Sequence, residues 1–198
     1  MKEYALTGAT IITPYMEIKN GTLLVSENKI LAVGREENIV IPEDMKRIDV
    51  SGLTMLPGFI DIHIHGSLGI SASDSFEGLR RIYEYLPSTG TTSWLPTIMN
   101  EKGINVIVTV MKEQKSGSEI LGIHMEGPFL APKNIPGTPH EEPRYPNLKE
   151  YEEMLKLAEG TIRLMGLAPE LDGALPVIRE MGRTGVVAAV AHSKATYE

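Results

Sequence analysis

Short apolar runs recur through the last two-thirds of the chain, at 59–65, 92–98, 120–126, 162–168 and 185–192. Between them apolar positions return every three to four residues, over 75–86, 102–113, 148–159 and 173–183. A short, wholly apolar run reads as a strand buried on both faces, and the longer period reads as an amphipathic helix. Strand then helix, repeated at this spacing, predicts parallel pairing through right-handed crossovers. Before residue 56 the texture differs. Short strands at 9–12, 21–25 and 29–33 are separated by turn residues, with Asn20-Gly21 and Glu27-Asn28-Lys29 as hairpin signals and Gly34 closing the third run. The chain thus reads as a small β-module over 1–56 and a βα-repeat over 57–198, joined at Leu56-Pro57-Gly58.

Both a doubly wound sheet and a barrel satisfy that alternation. They differ in where they gather functional groups: at a single switch point in the first, around a mouth formed by many strand ends in the second. Here histidines or a glutamate close the first, third and fifth runs. The expected class is therefore α/β, a (β/α)8 TIM-like barrel of which the first five units are present. An eight-unit barrel takes about 250 residues, so a chain of 198 is expected to be the N-terminal portion of a longer one.

The chemistry sits at those run ends. In Phe59-Ile60-Asp61-Ile62-His63-Ile64-His65 the period of two turns His63 and His65 to one face, so that two imidazoles converge. In Ile123-His124-Met125-Glu126, followed by Gly127-Pro128, His124 and Glu126 share a face in the same way. A carboxylate ending an apolar strand is costly to bury unless it meets a cation or a donor. His192 closes the most β-branched run, just before Ser193-Lys194. His124 reads equally as a core histidine lower in the fold or as a site residue, and Asp61 as an acceptor behind the imidazoles or a core polar group. Neutral imidazole with carboxylate is the donor set that holds zinc or iron in sites with an open position. With no cysteine in the chain, a metal is held by nitrogen and oxygen alone.

Composition narrows the partners. Hydrophobic residues at 42% and charged residues at 23% are ordinary for a globular protein. A net charge of −7, without clustered Lys and Arg, argues against nucleic acid. No run is long enough to cross a bilayer and Met1-Lys2-Glu3-Tyr4 opens no signal-peptide core. A cytoplasmic protein without membrane partners is the expectation.

Taken in order, these motifs resemble the amidohydrolase superfamily, and within it the N-acetylglucosamine-6-phosphate deacetylases. The resemblance rests on Leu56-Pro57-Gly58-Phe59-Ile60-Asp61-Ile62-His63-Ile64-His65-Gly66, on Gly90-Thr91-Thr92, and on Gly122-Ile123-His124-Met125-Glu126-Gly127-Pro128-Phe129. Leu167-Ala168-Pro169-Glu170 and Ala191-His192-Ser193-Lys194-Ala195-Thr196-Tyr197 complete it. It implies a metal held by Glu126 and His192, with His63 and His65 matching the pair that holds a second ion where both are kept, so one or two divalent ions, zinc or iron. It also implies that the β-module belongs to a β-sandwich completed by C-terminal strands, and that the full-length parent is a homodimer. The substrate implied is N-acetylglucosamine 6-phosphate, cleaved to acetate and glucosamine 6-phosphate in amino-sugar catabolism. The fourth run carries no lysine, which separates the chain from relatives that bridge two metals with a carbamylated lysine. Thr138 and His140 match substrate contacts of the loop after the third strand, although Pro139 stands between them where the family has none. The family's general acid–base aspartate belongs to an eighth strand beyond Glu198, so no catalytic residue of that kind is expected within the chain and the fragment alone is expected to be inactive. Two other readings stand beside this one: a non-catalytic, metal-binding or self-associating half-barrel, and a deacetylase of another N-acetyl-hexosamine 6-phosphate.

Overall fold

The structure is a computed structural model that describes residues 3–132 and 142–197. It divides into two compact units, Met1–Pro57 and Gly58–Glu198.

In the first unit β1 (Glu3–Ile12), β2 (Glu17–Ser26), β3 (Lys29–Arg35), β4 (Lys46–Asp49) and β5 (Thr54–Met55) form one sheet in the order β3-β2-β1-β4, with β5 also on β1. Two antiparallel hairpins, β1 with β2 and β2 with β3, are joined by two parallel partners of β1. Glu27, with φ 54°, makes the β2–β3 turn where the sequence signals it. Asn20-Gly21 makes no turn. It lies within β2, Asn20 at φ 52°, opposite a register shift in β1, while the β1–β2 turn closes at Thr13–Met16. A residue at positive φ inside an antiparallel pair absorbs one extra residue as a bulge, and the pair sequence Asn-Gly suits a bulge as well as a turn.

The second unit contains β6 (Phe59–Ile64), β7 (Gly66–Ser67), β8 (Ile70–Ser71), α1 (Phe76–Tyr85), β9 (Thr91–Ile98), α2 (Ile104–Glu113), β10 (Glu119–Ile120), β11 (Ile123–Glu126), α3 (Leu148–Leu157), β12 (Ile162–Leu167), α4 (Ala174–Thr184) and β13 (Val187–Val190). Its main sheet is parallel, with β6 on β9, then β11, β12 and β13 in sequence order, and β10 also on β9. Among the described residues the order never reverses, so they show no switch point of the doubly wound kind. This is a curled parallel half-barrel sheet.

The helices start where their caps are. Ser75 Oγ accepts from Gly78 N–H and Asn147 Oδ1 from Glu150 N–H, each satisfying a donor that the first turn leaves open. Their apolar faces meet the sheet in one core that includes Leu79, Ile82, Ile104, Ile107, Met154 and Val177, packed against Trp94, Met125, Met165 and Leu167 of the strands. Met125 belongs to this core, so its neighbours Glu126 and His124 turn to the sheet's other face.

The third apolar run differs from its expected form: it is broken into β10 and β11 at Leu121-Gly122. Gly122 has φ 153°, and a Cβ there would come within 2.4 Å of the Thr161 carbonyl oxygen. The strand thus passes from β9 to β12 at a point only glycine tolerates, Leu121 N–H donating to Trp94 O and Ile123 N–H to Thr161 O.

Candidate metal centre

Three strand ends supply the ionisable side chains. β6 carries His63 and, one residue past its end, His65; β11 carries His124 and Glu126; His192 follows β13 by two residues. Glu126 is the meeting point. Its Oε1 accepts a hydrogen bond from His192 Nε2 at 2.6 Å, and its Oε2 lies 2.8 Å from His65 Nε2 and 3.7 Å from His63 Nε2.

The contact with His65 has the distance of an ion pair but lacks the geometry of a hydrogen bond, so Oε2 is a buried carboxylate oxygen with no donor among the described residues. A buried carboxylate oxygen left without a donor is costly. The ligand atoms of His63, His65 and Glu126 lie within 4.8 Å of one another and could hold a metal ion. The donor set therefore fits a divalent cation, which would satisfy Oε2 and take neutral imidazoles as co-ligands.

Burial alone would raise the Glu126 carboxyl, but the His192 hydrogen bond and the nearby His65 and His63 imidazoles outweigh it and hold the group below the usual carboxylate range. Glu126 is thus an anion at neutral pH, the form a cation requires. His124 moves below the ordinary imidazole value, chiefly because it is buried, against a hydrogen bond to the Ile62 carbonyl that favours its charged form.

His192 reaches Glu126 from an unusual backbone. Its φ is 45°, a left-handed conformation uncommon for a residue with a side chain. The turn is held from both sides: Ala191 N–H donates to Leu167 O, Ala131 N–H donates to His192 O, and the Glu170 carboxylate accepts from Ser193 Oγ and from Lys194 N–H. Those two bonds outweigh the effect of burial and keep the Glu170 carboxyl below its ordinary value. Gly166 makes room beside them, since a Cβ there would meet the Ala191 Cβ at 2.7 Å and the Glu126 Cα at 3.9 Å.

The Amidohydrolase family profile matches residues 54–198. The chain belongs to the amidohydrolase family. It is similar to N-acetylglucosamine-6-phosphate deacetylase of Bacillus subtilis (strain 168), 33% identical over 93% of this chain and 49% of that protein. N-acetylgalactosamine-6-phosphate deacetylase of Escherichia coli O157:H7 is 29% identical over 73% of this chain and 40% of its own length. Among solved structures, a mutant N-acetyl-D-glucosamine-6-phosphate deacetylase from Mycobacterium smegmatis in complex with N-acetyl-D-glucosamine-6-phosphate superimposes with a TM-score of 0.83 at 28% identity. It covers 100% of this chain and 51% of that one. The chain spans about half the length of the curated relatives it matches, 49% and 40%.

Within this amidohydrolase the structure brings His63, His65, Glu126 and His192 together, sets the His124 ring against that of His63, and bonds Asp61 to the His63 backbone N–H rather than to an imidazole. Thr138 and His140 lie outside the described residues. Sequence reasoning gave no role to Thr97, Gly166 or Glu170. Gly166 had a signal, an isolated glycine inside a strand where backbone or side chain must approach closely. Glu170 stands in a motif that carries the resemblance, yet nothing in its spacing links it to Ser193. Among the described residues no helix is long and apolar enough to cross a membrane.

Proposed function

We propose that this chain supplies the metal-holding half of a deacetylase that cleaves the acetamide of N-acetylglucosamine 6-phosphate, giving acetate and glucosamine 6-phosphate. The observation that carries the reading is the Glu126 carboxylate, with His192 on one oxygen and His65 and His63 at the other. Glu126 and His192 would hold one divalent ion, zinc or iron, and His63 with His65 would share the carboxylate in holding a second. When bound, such an ion polarises the amide carbonyl and makes water acidic enough to attack at neutral pH. Glu126 contributes its charge, which the imidazole contacts maintain against burial. His192 contributes a nitrogen whose direction is fixed by the turn that Glu170 and Ala131 hold.

The wider reading is of a (β/α)8 barrel begun by these five strands, over 57–198, and a β-sandwich begun by the first sheet, over 1–56. The assembly would be a homodimer in the cytoplasm, with Thr138 and His140 contacting the sugar and an aspartate on a later strand moving the proton. The relatives named above support the reaction class and leave two epimeric sugars in play.

Metal analysis of purified protein tests the centre. Glu126→Gln removes one anionic oxygen while keeping the shape, and is expected to lower zinc or iron content at least tenfold; undiminished content in that variant overturns the assignment. Acetate release by the full-length protein is expected to be faster from N-acetylglucosamine 6-phosphate than from its galacto epimer, and the reverse order overturns the choice of sugar. One observation favours the second reading, a self-associating half-barrel: Ile60, Ile62, Val187 and Val190 of the edge strands β6 and β13 are exposed. Sedimentation of the 198-residue chain decides it.

A further inference from the structure

β6 is the strand that carries the histidine pair, and it leaves its ladder where the pair begins. Asp61 is level with Trp94 of β9 and Ile64 with Pro96, so β6 uses one more residue than its neighbour over this stretch. Such a bulge leaves backbone groups unpaired, and Pro96 has no N–H to offer the ladder at this level. The backbone between Asp61 and Ile64 must find other partners.

Three side chains provide them. The buried His124 imidazole lies with Nδ1 2.8 Å from the Ile62 carbonyl oxygen. A carbonyl only accepts, so the proton is on Nδ1. The buried Thr97 hydroxyl accepts from Ile64 N–H at 3.0 Å, and Asp61 Oδ1 accepts from His63 N–H at 3.0 Å. The His124 ring also meets the His63 ring edge to face, with centroids 4.8 Å apart and planes at 78°. His124 and Thr97 belong to β11 and β9, so the strand bearing Glu126 and its neighbour grip the strand bearing His63 and His65.

We infer that His124 and Thr97 are positioning residues for the metal centre: they replace the missing ladder bonds of the bulge in β6 and so fix where His63 and His65 stand relative to Glu126. Neither belongs to the group of side chains whose ligand atoms cluster closely enough to hold an ion. The inference rests on the reading of His63 and His65 as metal ligands, and the test separates the two.

The probe is cobalt(II) alone, titrated into the metal-free protein and followed by its visible absorption and by calorimetry. His124→Leu and Thr97→Val remove the two bonds, whereas His124→Asn and Thr97→Ser keep a donor and a hydroxyl in their places. Loss of such supporting partners typically costs 10- to 100-fold in metal affinity. His124→Leu and Thr97→Val are expected to weaken cobalt binding by about tenfold or more and to alter its spectrum, with Asn and Ser restoring most of the affinity. A purely structural role would instead lower the melting temperature and leave affinity unchanged in the folded fraction. Amide hydrogen exchange at His63 and Ile64 of the metal-free protein gives a readout independent of metal, expected to quicken in both deletion variants while β12 is unaffected. If His124→Leu does not fold, Thr97→Val, which keeps the branched shape, carries the test. Unchanged affinity together with unchanged exchange overturns the inference. No cobalt uptake by the unmodified protein overturns the metal reading, and the exchange rates then decide the positioning role by themselves.

Discussion

Glu126 has a different neighbour on each oxygen, and the turn that brings His192 to one of them packs against a residue with no side chain. Gly166 stands level with Glu126 in the β11–β12 ladder, and the first atom of any side chain there would lie 2.7 Å from the Ala191 Cβ, one residue before His192. β12 cannot retreat, because Met165 on its opposite face is fully buried in the core, so the strain falls on the turn after β13. Gly166→Ala is therefore expected to destabilise the protein by about 1–3 kcal/mol, the usual cost of overpacking. It should also weaken metal uptake by pushing the His192 turn away from Glu126. Denaturant unfolding and a cobalt titration check both, and an alanine variant as stable and as metal-competent as the parent would show that the site yields freely.

At the scale of elements, α3 and α4 are tied by a half-buried polar contact, the Tyr151 hydroxyl with Thr184 Oγ1 at 2.7 Å. Burial raises the Tyr151 phenol above its ordinary value, partly opposed by the Thr184 bond and reinforced by the nearby Glu180 charge. An acid whose folded value lies above its unfolded one, here about 10, gives stability that is complete below that pH and is lost as pH rises through the folded value. Tyr151→Phe is expected to cost about 1 kcal/mol at pH 8, from the lost hydrogen bond. The gap between parent and variant should narrow at pH 11, where only the parent pays for keeping a phenol neutral. Unfolding curves at the two pH values measure this, and a constant gap would contradict it. The same scale shows how much could be read early. All four helices and the strands of the parallel sheet fall within a few residues of the apolar pattern, because burial on one or both faces writes a period into the chain. The strands β4 and β5 were not legible: each is short, without a buried residue, and formed by pairing beside β1.

For the molecule as a whole, every candidate ligand lies in the unit Gly58–Glu198, so metal should stabilise that unit. A ligand at a hundred times its dissociation constant adds about 2.7 kcal/mol to the form that binds it. Calorimetric melting is expected to show the transition of this unit rising by several degrees with zinc and falling back with chelator. The Glu126→Gln variant should not respond. A melting profile indifferent to zinc would mean that the four side chains meet for another reason.

The amino-acid sequence determined the βα alternation, the parallel pairing, and the His63, His65, Glu126 and His192 set, because periodicity and strand-end position are local properties of the chain. Only the tertiary structure decided His124, which the sequence left between core and site and which proves to be both buried and bonded to the backbone beside His63. It alone showed the bulge opposite Pro96, the room left by Gly166 and the hold of Glu170 on the turn after His192. Each of these depends on the register between strands far apart in the chain, and register is fixed by how whole faces pack, which no single segment encodes.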